Sequence, residues 1–190
     1  MELTEVKLNS EEVYAGVVFR VTKDAVRLPD GRSGRRDLVH TLGGVVVLPV
    51  DGDGCVTLVR QFRYAHGEAL LEAVAGKLEA GEEPFFAAQR ELREETGFTA
   101  KKWTPLGMIQ TSPGFLTEKL WLFLAEELTQ GEQELDDGEF LNLERYPFAE
   151  AAAMAADGRM NDAKTLAILL RAGAALRKEA EHGETDSCGR

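Results

Sequence analysis

The sequence predicts a mixed α/β chain of the α+β class, a mixed sheet packed by helices, and three observations predict it. Hairpin signals dominate the first third of the chain. Residues 45–50 form an apolar, β-branched run. Helical patterns appear only from residue 84 onward and alternate with further strand patterns. That order argues against a doubly wound parallel sheet.

Each element follows from local pattern. Residues 14–26 read as strand-rich, with Val17, Phe19 and Val21 alternating. The stretch Leu28-Pro29-Asp30-Gly31-Arg32-Ser33-Gly34 is a turn, and residues 35–40 read as the returning strand. Residues 45–50 have the composition of a buried strand. Asp51-Gly52-Asp53-Gly54 is a hairpin signal, with residues 55–62 as the second strand. Residues 69–75 read as another short strand. Residues 84–96 read as a helix: Pro84 fits its first turn, Glu82 and Glu83 suit its positive end, and Gly97 suits its stop. Residues 106–110, 120–125 and 140–145 read as strands, and residues 126–138 as a polar, acidic loop. Residues 147–156 and 163–176 read as helices, the second with an apolar face of Leu166, Leu169 and Leu170. Residues 178–190 are polar and expected to be a disordered tail.

The chain has 190 residues, enough for one compact domain with a real core. No repeat or linker divides it. The expected organisation is an N-terminal antiparallel β segment over residues 1–42, one domain over 43–177, and the tail. The net charge is −11 and the pI about 4.8. A surface that acidic repels polyphosphate backbones and argues against nucleic-acid binding. Most of the 33 acidic residues read as solubilising. A carboxylate cluster inside a pocket is different: it needs metal ions to accept an anionic substrate. Cys55 and Cys188 stand far apart, so neither a disulfide framework nor a zinc site is expected. The first residues lack signal-peptide features, and the longest apolar stretch, residues 43–50, is too short to span a membrane. A cytoplasmic protein is expected.

The chemistry lies in residues 76–98. On a helix, Glu91 and Glu95 share one face a turn apart, and Glu94 lies beside them. Three carboxylates on one arc repel each other unless a cation sits among them. Oxygen donors of this kind suit Mg²⁺ or Mn²⁺ better than zinc. Arg90 is one turn before Glu94 and can hold a carboxylate in place. Phe85, Ala88 and Leu92 can anchor the opposite face. The six residues from Arg90 to Glu95 alone would fit an exposed helix laced with ion pairs.

The longer pattern is more specific. Gly76, Glu82, Arg90, Glu91, Leu92, Glu94, Glu95, Gly97 and Phe98 fill every fixed position of a pattern that resembles the Nudix box. The resemblance implies an α/β/α sandwich around a mixed β-sheet, spanning residues 14–171. It implies a hydrolase of nucleoside diphosphate derivatives that needs a divalent cation. Glu91 and Glu95 are implied as the main metal ligands, with Glu94 assisting, Glu82 as a further or supporting ligand, and the backbone carbonyl of Ala75 beside Gly76. Arg90 is implied to orient carboxylates.

The flanking segments Leu58-Val59-Arg60-Gln61-Phe62-Arg63 and Leu71-Glu72-Ala73-Val74-Ala75-Gly76 resemble ADP-sugar pyrophosphatases, as does Pro113, sixteen residues after Gly97. This implies ADP-ribose as substrate, cleaved to AMP and ribose 5-phosphate. Arg63 is implied to bind the phosphates, helped by Arg60, which reads equally as a strand-surface cation. Glu72 is implied to lie near the site, against a water or the terminal ribose. Pro113 and Gly114 are implied to shape a loop over the sugar. Glu118 follows them and reads either as pocket-facing or as solvated. The subfamily draws its general base from the late acidic loop, which implies Glu139, with Asp136 and Asp137 as alternatives.

One departure stands out. Val74 occupies a position where ADP-ribose enzymes usually carry proline, and Ala73-Val74-Ala75-Gly76 is closer to GDP-mannose hydrolases. Asn161-Asp162-Ala163-Lys164-Thr165 also resembles that branch, though it has ADP-ribose relatives too. GDP-mannose or another nucleotide sugar is therefore the alternative substrate. A different class, a catalytically silent nucleotide-sugar-binding module, is disfavoured by the intact glutamates. A homodimer is implied for the N-terminal segment. Tyr14 and Phe19 are candidates to grip a base, Phe19 fitting core packing better. Trp103 and Trp121 read as core or interface. His40 and His66 read as ordinary loop or strand histidines.

Overall fold

The computed structural model describes residues 2–187, with side chains described through residue 178. Cys188 and the end of the expected tail lie outside the described residues. The chain divides into two compact units, one of residues 1–43 and 110–119, the other of residues 44–109 and 120–190.

The first unit is an antiparallel sheet in chain order: β1 (Val6–Ala15), β2 (Arg20–Arg27) and β3 (Ser33–His40). The Gly16 N–H donates to the Phe19 carbonyl at 2.9 Å and reverses the chain. The continuous stretch read over residues 14–26 is therefore two strands. The turn at Leu28 forms as read, closed by the Gly31 N–H on the Leu28 carbonyl. The inner positions of β2 carry Thr22, Asp24 and Val26. The Asp24 carboxylate accepts from the Ser10 hydroxyl at 2.6 Å, and Thr22 Oγ1 pairs with His40 Nε2 at 2.9 Å. His40 is thus an ordinary strand histidine. Residues 115–117 add to the β3 edge through hydrogen bonds at Val39. Every residue of β1 is exposed, and Phe19, read as core, is 40% exposed with its ring 5.4 Å from Tyr14.

The second unit is a layered α/β/α body. Its strands are β4 (Gly44–Pro49), β5 (Cys55–Arg63), β6 (Glu68–Glu72), β7 (Val74–Lys77), β8 (Phe98–Gln110), β9 (Lys119–Gln130) and β10 (Leu141–Pro147). Its helices are α1 (Pro84–Thr96), α2 (Phe148–Ala156) and α3 (Ala163–Ser187). The central sheet runs β7-β4-β9-β8, with β4 antiparallel to β7 and parallel to β9. A mixed sheet is what the sequence predicts. A smaller sheet runs β10-β5-β6, antiparallel throughout.

The continuous apolar run of β4 is explained by its two faces, since neighbouring side chains point to opposite sides. Val46 and Leu48 enter a core with Leu122, Leu124, Ala151, Met154, Ile168 and Leu169. Val45 and Val47 enter a second core with Val74, Ala87, Ala88, Leu92 and Phe123. α1 therefore covers one face, and α2 with α3 the other. Trp103 packs in the second core, its ring 5.5 Å from Phe85 and 6.3 Å from Phe123. Trp121 packs there as well.

Four further readings need adjustment. The turn at residues 51–54 forms, with a Val50–Val56 bridge beside it, but β4 and β5 enter different sheets. The strand read over residues 69–75 breaks at Ala73 and joins both sheets, as β6 and β7. Leu170 is 74% exposed, because Leu169 and Ile168 hold the buried face of α3. The expected tail from residue 178 overlaps the backbone of α3 as far as Ser187.

Candidate active site

The site is built on α1 and the strands beside it. Pro84 stands in the first turn, and Gly97 ends the helix at φ 74° with its N–H on the Arg93 carbonyl. Only glycine takes that conformation without strain, and an added Cβ would also press on the Gly131 carbonyl oxygen at 2.6 Å. Ala88 and Leu92 are fully buried, as read, whereas Phe85 is 39% exposed and Ala87 shares the buried face. This packing turns Glu91 and Glu95 towards β7.

Arg90 organises the carboxylates. Its Nη1 donates to Glu91 at 2.8 Å and to Glu94 at 2.9 Å. Its Nε and Nη2 donate to Glu82 at 3.0 and 2.9 Å, and Nη2 also reaches the Lys77 carbonyl at 3.1 Å. Glu82 in turn accepts from the Glu79 N–H at 2.9 Å. Glu95 is 3% exposed, and among the hydrogen bonds described its carboxylate has one donor, the Ala75 N–H at 3.3 Å. Burial pushes Glu95 up to about 8, helped by the charges of Glu139 and Glu91. Burial likewise pushes Glu91 up to about 7 against the pull of Arg90. Both glutamates therefore hold their charge at a cost unless a cation joins them.

Gly76 makes room for this arrangement. A Cβ at that position would fall inside the Glu91 carboxylate. Among the described residues, no three His, Cys, Asp or Glu side chains converge as a ligand set. Arg90 holds Glu82, Glu91 and Glu94 to itself, while the Glu95 carboxylate is bonded to the Ala75 N–H. The donors still fit a hard divalent cation: one buried and one half-buried carboxylate, both raised by desolvation, beside a position where a side chain is excluded.

A second cluster lies near enough for the charges of Arg63 and Glu95 to act on each other. Glu72 ends β6 and is 1% exposed. Arg63 donates to both its oxygens, through Nε at 2.7 Å and Nη2 at 2.7 Å, and Lys164 Nζ donates to Oε2. Burial raises the Glu72 pKa, but Arg63 and Lys164 outweigh burial and hold it below the usual carboxylate range.

The acidic loop after β9 is tied to the end of α1. The Gly131 N–H donates to the Gly97 carbonyl at 2.8 Å, the Glu134 N–H to the Glu94 carbonyl at 3.0 Å, and Gln133 Nε2 to the Glu95 carbonyl at 2.5 Å. Glu139 is half-buried and accepts from Gln61 Nε2 at 3.3 Å, and its charge acts on Glu91 and Glu95. Asp136 and Asp137 are exposed.

Arg60 is not with the cluster: it pairs with Glu144, which also accepts from the Tyr146 hydroxyl at 2.5 Å. Alternation along β5 puts Arg60 on the face away from Gln61 and Arg63. Pro113 and Gly114 are exposed in the first unit, and the neighbouring Glu118 accepts from the Thr111 hydroxyl at 2.8 Å. Val74 is fully buried in the core under α1 and pairs with Val47, so its side chain is a packing element. Two contributors were given no role from sequence, Gln61 and Lys164. Gln61 was detectable as the residue two before Arg63, on the same strand face. Lys164 sits in a quoted motif, but its partner Glu72 is 92 positions away and no local pattern links them.

The NUDIX domain profile matches residues 40–168. The chain is 40% identical to the ADP-ribose pyrophosphatase of Bacillus subtilis (strain 168), over 86% of this chain and 89% of that one. It is 37% identical to the GDP-mannose pyrophosphatase of Yersinia pestis (strain Pestoides F), over 67% of this chain and 68% of that one. A crystal structure of an ADP compounds hydrolase superposes with a TM-score of 0.83 at 25% identity, over 94% of this chain and 98% of that one. The chain belongs to the Nudix family of hydrolases.

Proposed function

We propose that this protein hydrolyses the diphosphate of a nucleoside diphosphate sugar, ADP-ribose first, giving AMP and ribose 5-phosphate. The observation that carries this is the pair of half-buried Glu91 and buried Glu95 beside Gly76, close enough to Glu139 for its charge to act on both and to Arg63 for its charge to act on Glu95. Both glutamates would hold a divalent cation, Mg²⁺ or Mn²⁺, with Glu94, Glu82 and the Ala75 carbonyl in support. When bound, the cation neutralises diphosphate oxygens and acidifies water.

The protein's own groups do the rest. Arg63 offers a guanidinium to the phosphates, fixed in direction by its two bonds to Glu72. Glu139 is the general base, held by Gln61 and half-buried, where Asp136 and Asp137 are solvated. Arg90 orients Glu82, Glu91 and Glu94. Pro113 and Gly114 remain candidates for a loop over the sugar.

Relatives named for ADP-ribose and for GDP-mannose both match, and the longer, more identical match carries the ADP-ribose name. Val74 is buried in the core under α1, and the segments Ala73-Val74-Ala75-Gly76 and Asn161-Asp162-Ala163-Lys164-Thr165 keep GDP-mannose as the alternative substrate. The apolar residues exposed along the N-terminal sheet, among them Leu8, Val13 and Val18, support a homodimer.

Steady-state hydrolysis of ADP-ribose beside GDP-mannose, with and without Mg²⁺, tests the reading. Mg²⁺-dependent release of AMP and ribose 5-phosphate, strongly favoured over GDP-mannose cleavage, is expected. Preference for GDP-mannose would shift the substrate. No Mg²⁺-dependent turnover of a nucleotide-sugar panel would favour a binding module.

A further inference from the structure

We infer that Lys164, at the start of α3, is a positioning residue that shares the charge of Glu72 with Arg63 and thereby keeps the Arg63 guanidinium available to a diphosphate. This rests on the diphosphate reading above.

The argument begins with α3. Asp162 caps its first turn, accepting from the Thr165 N–H at 3.0 Å and the Thr165 hydroxyl at 2.5 Å, while its carbonyl accepts from the Leu166 N–H at 3.0 Å. Thr165 is fully buried and accepts from the Ala73 N–H at 2.8 Å. The helix start is thus bolted to the residue that follows Glu72. That fixes where Lys164 points. Its Nζ contacts Glu72 Oε2 and lies 2.9 Å from Asp162 Oδ2.

Two cations and two carboxylates balance here. Glu72 is buried, so it must be neutralised whatever else happens. With Lys164 present, that duty is divided between two partners. Without it, Arg63 is the only cation left on Glu72, and the cluster of Arg63, Glu72 and Asp162 carries a net negative charge. A diphosphate would then meet a repelling cluster and a guanidinium held by its own carboxylate. The group is not a sealed structural pair: Arg63, Glu72, Asp162 and Lys164 line a cleft of about 400 Å³ together with Tyr64 and His66.

The test compares the full-length wild type with Lys164→Met, Lys164→Arg, Glu72→Gln and the double variant Glu72→Gln/Lys164→Met. ADP binding with Mg²⁺ is measured by calorimetry, and kcat and KM are measured on the preferred nucleotide sugar. Lys164→Met is expected to weaken ADP about tenfold and raise KM similarly, with kcat changed less than about threefold. Lys164→Arg should restore most of the loss. In the Glu72→Gln background, removing Lys164 should cost less than about threefold, because the charge it shares is gone. Three results would overturn the inference: ADP affinity of Lys164→Met within twofold of wild type, an equal loss in the Glu72→Gln background (a direct contact to the phosphates), or no ADP binding by the wild type. A wild type that binds ADP in this Lys164-dependent way yet turns over no nucleotide sugar would sink the hydrolase reading and leave the inference standing.

Discussion

Gly76 and Glu91 occupy each other's space: the absent Cβ of the glycine is where the glutamate carboxylate lies. A strand residue thus sets the position of a helix side chain. Gly76→Ala should leave the helix and sheets formed, because β7 packs elsewhere through Val74. It should displace the Glu91 carboxylate and lower kcat/KM by about a hundredfold or more. Circular dichroism with steady-state kinetics checks this. Near wild-type turnover in a folded Gly76→Ala protein would separate Glu91 from the reaction.

How much of this arrangement was legible in the sequence depends on distance along the chain. The spacing of Glu91 and Glu95, the stop at Gly97 and the turn at residues 51–54 are local, and they were readable from local rules. The fate of the strands on either side of that turn was not. β5 leaves β4 for β6 and β10, a choice made by partners that lie far away in sequence. The same holds for charges. Arg60 and Arg63 look alike in sequence, and only their partners, Glu144 and Glu72, tell them apart. Gln61 and Lys164 became visible for the same reason, once β5 and α3 were placed against the loop and β6.

The glutamate pair predicts an inverted pH dependence for the metal-free protein. Both groups have folded pKa values above their ordinary value of 4.5, about 7 for Glu91 and about 8 for Glu95. The folded state therefore binds their protons more tightly. The stabilisation is fully present below about 4.5 and is lost as pH rises through about 7 and 8. With chelator present, Tm should fall by about 5 °C or more between pH 6 and pH 9. Glu95→Gln should flatten that slope, raise Tm at the alkaline end, and cut turnover by orders of magnitude because an amide binds Mg²⁺ poorly. Thermal melts across pH, with and without chelator, decide it. A Glu95→Gln protein with ordinary turnover would end the metal assignment.

Glu139 is distinguished from its acidic neighbours by burial and by its bond to Gln61. Glu139→Gln should lower kcat by about 10²- to 10⁴-fold with a small change in KM, the range of a lost general base. Asp136→Asn and Asp137→Asn should each stay within about twofold of wild type. If Asp136→Asn or Asp137→Asn shows the large loss instead, the base belongs to that residue.

Arg60 and Arg63 offer the sharpest contrast, being three residues apart on one strand with opposite surroundings. Arg63 is bound in a fork to a buried carboxylate beside the glutamate pair, and the Glu95 charge acts on it. Arg60 is bound to Glu144 on the other face, next to the exposed rings of Phe62 and Phe140. Methionine keeps much of the bulk of either stem and removes the charge. Arg63→Met should raise KM about tenfold or more and also destabilise the fold, because it removes one of the two cations on buried Glu72. Arg60→Met should leave KM within about twofold, with stability changed by roughly 1 kcal/mol or less, since the Arg60–Glu144 pair is partly solvated. Michaelis constants and melts of the two variants side by side provide the measurement. A large KM increase in Arg60→Met would return that arginine to the substrate, and an unchanged KM in Arg63→Met would remove the phosphate role from the Glu72 cluster.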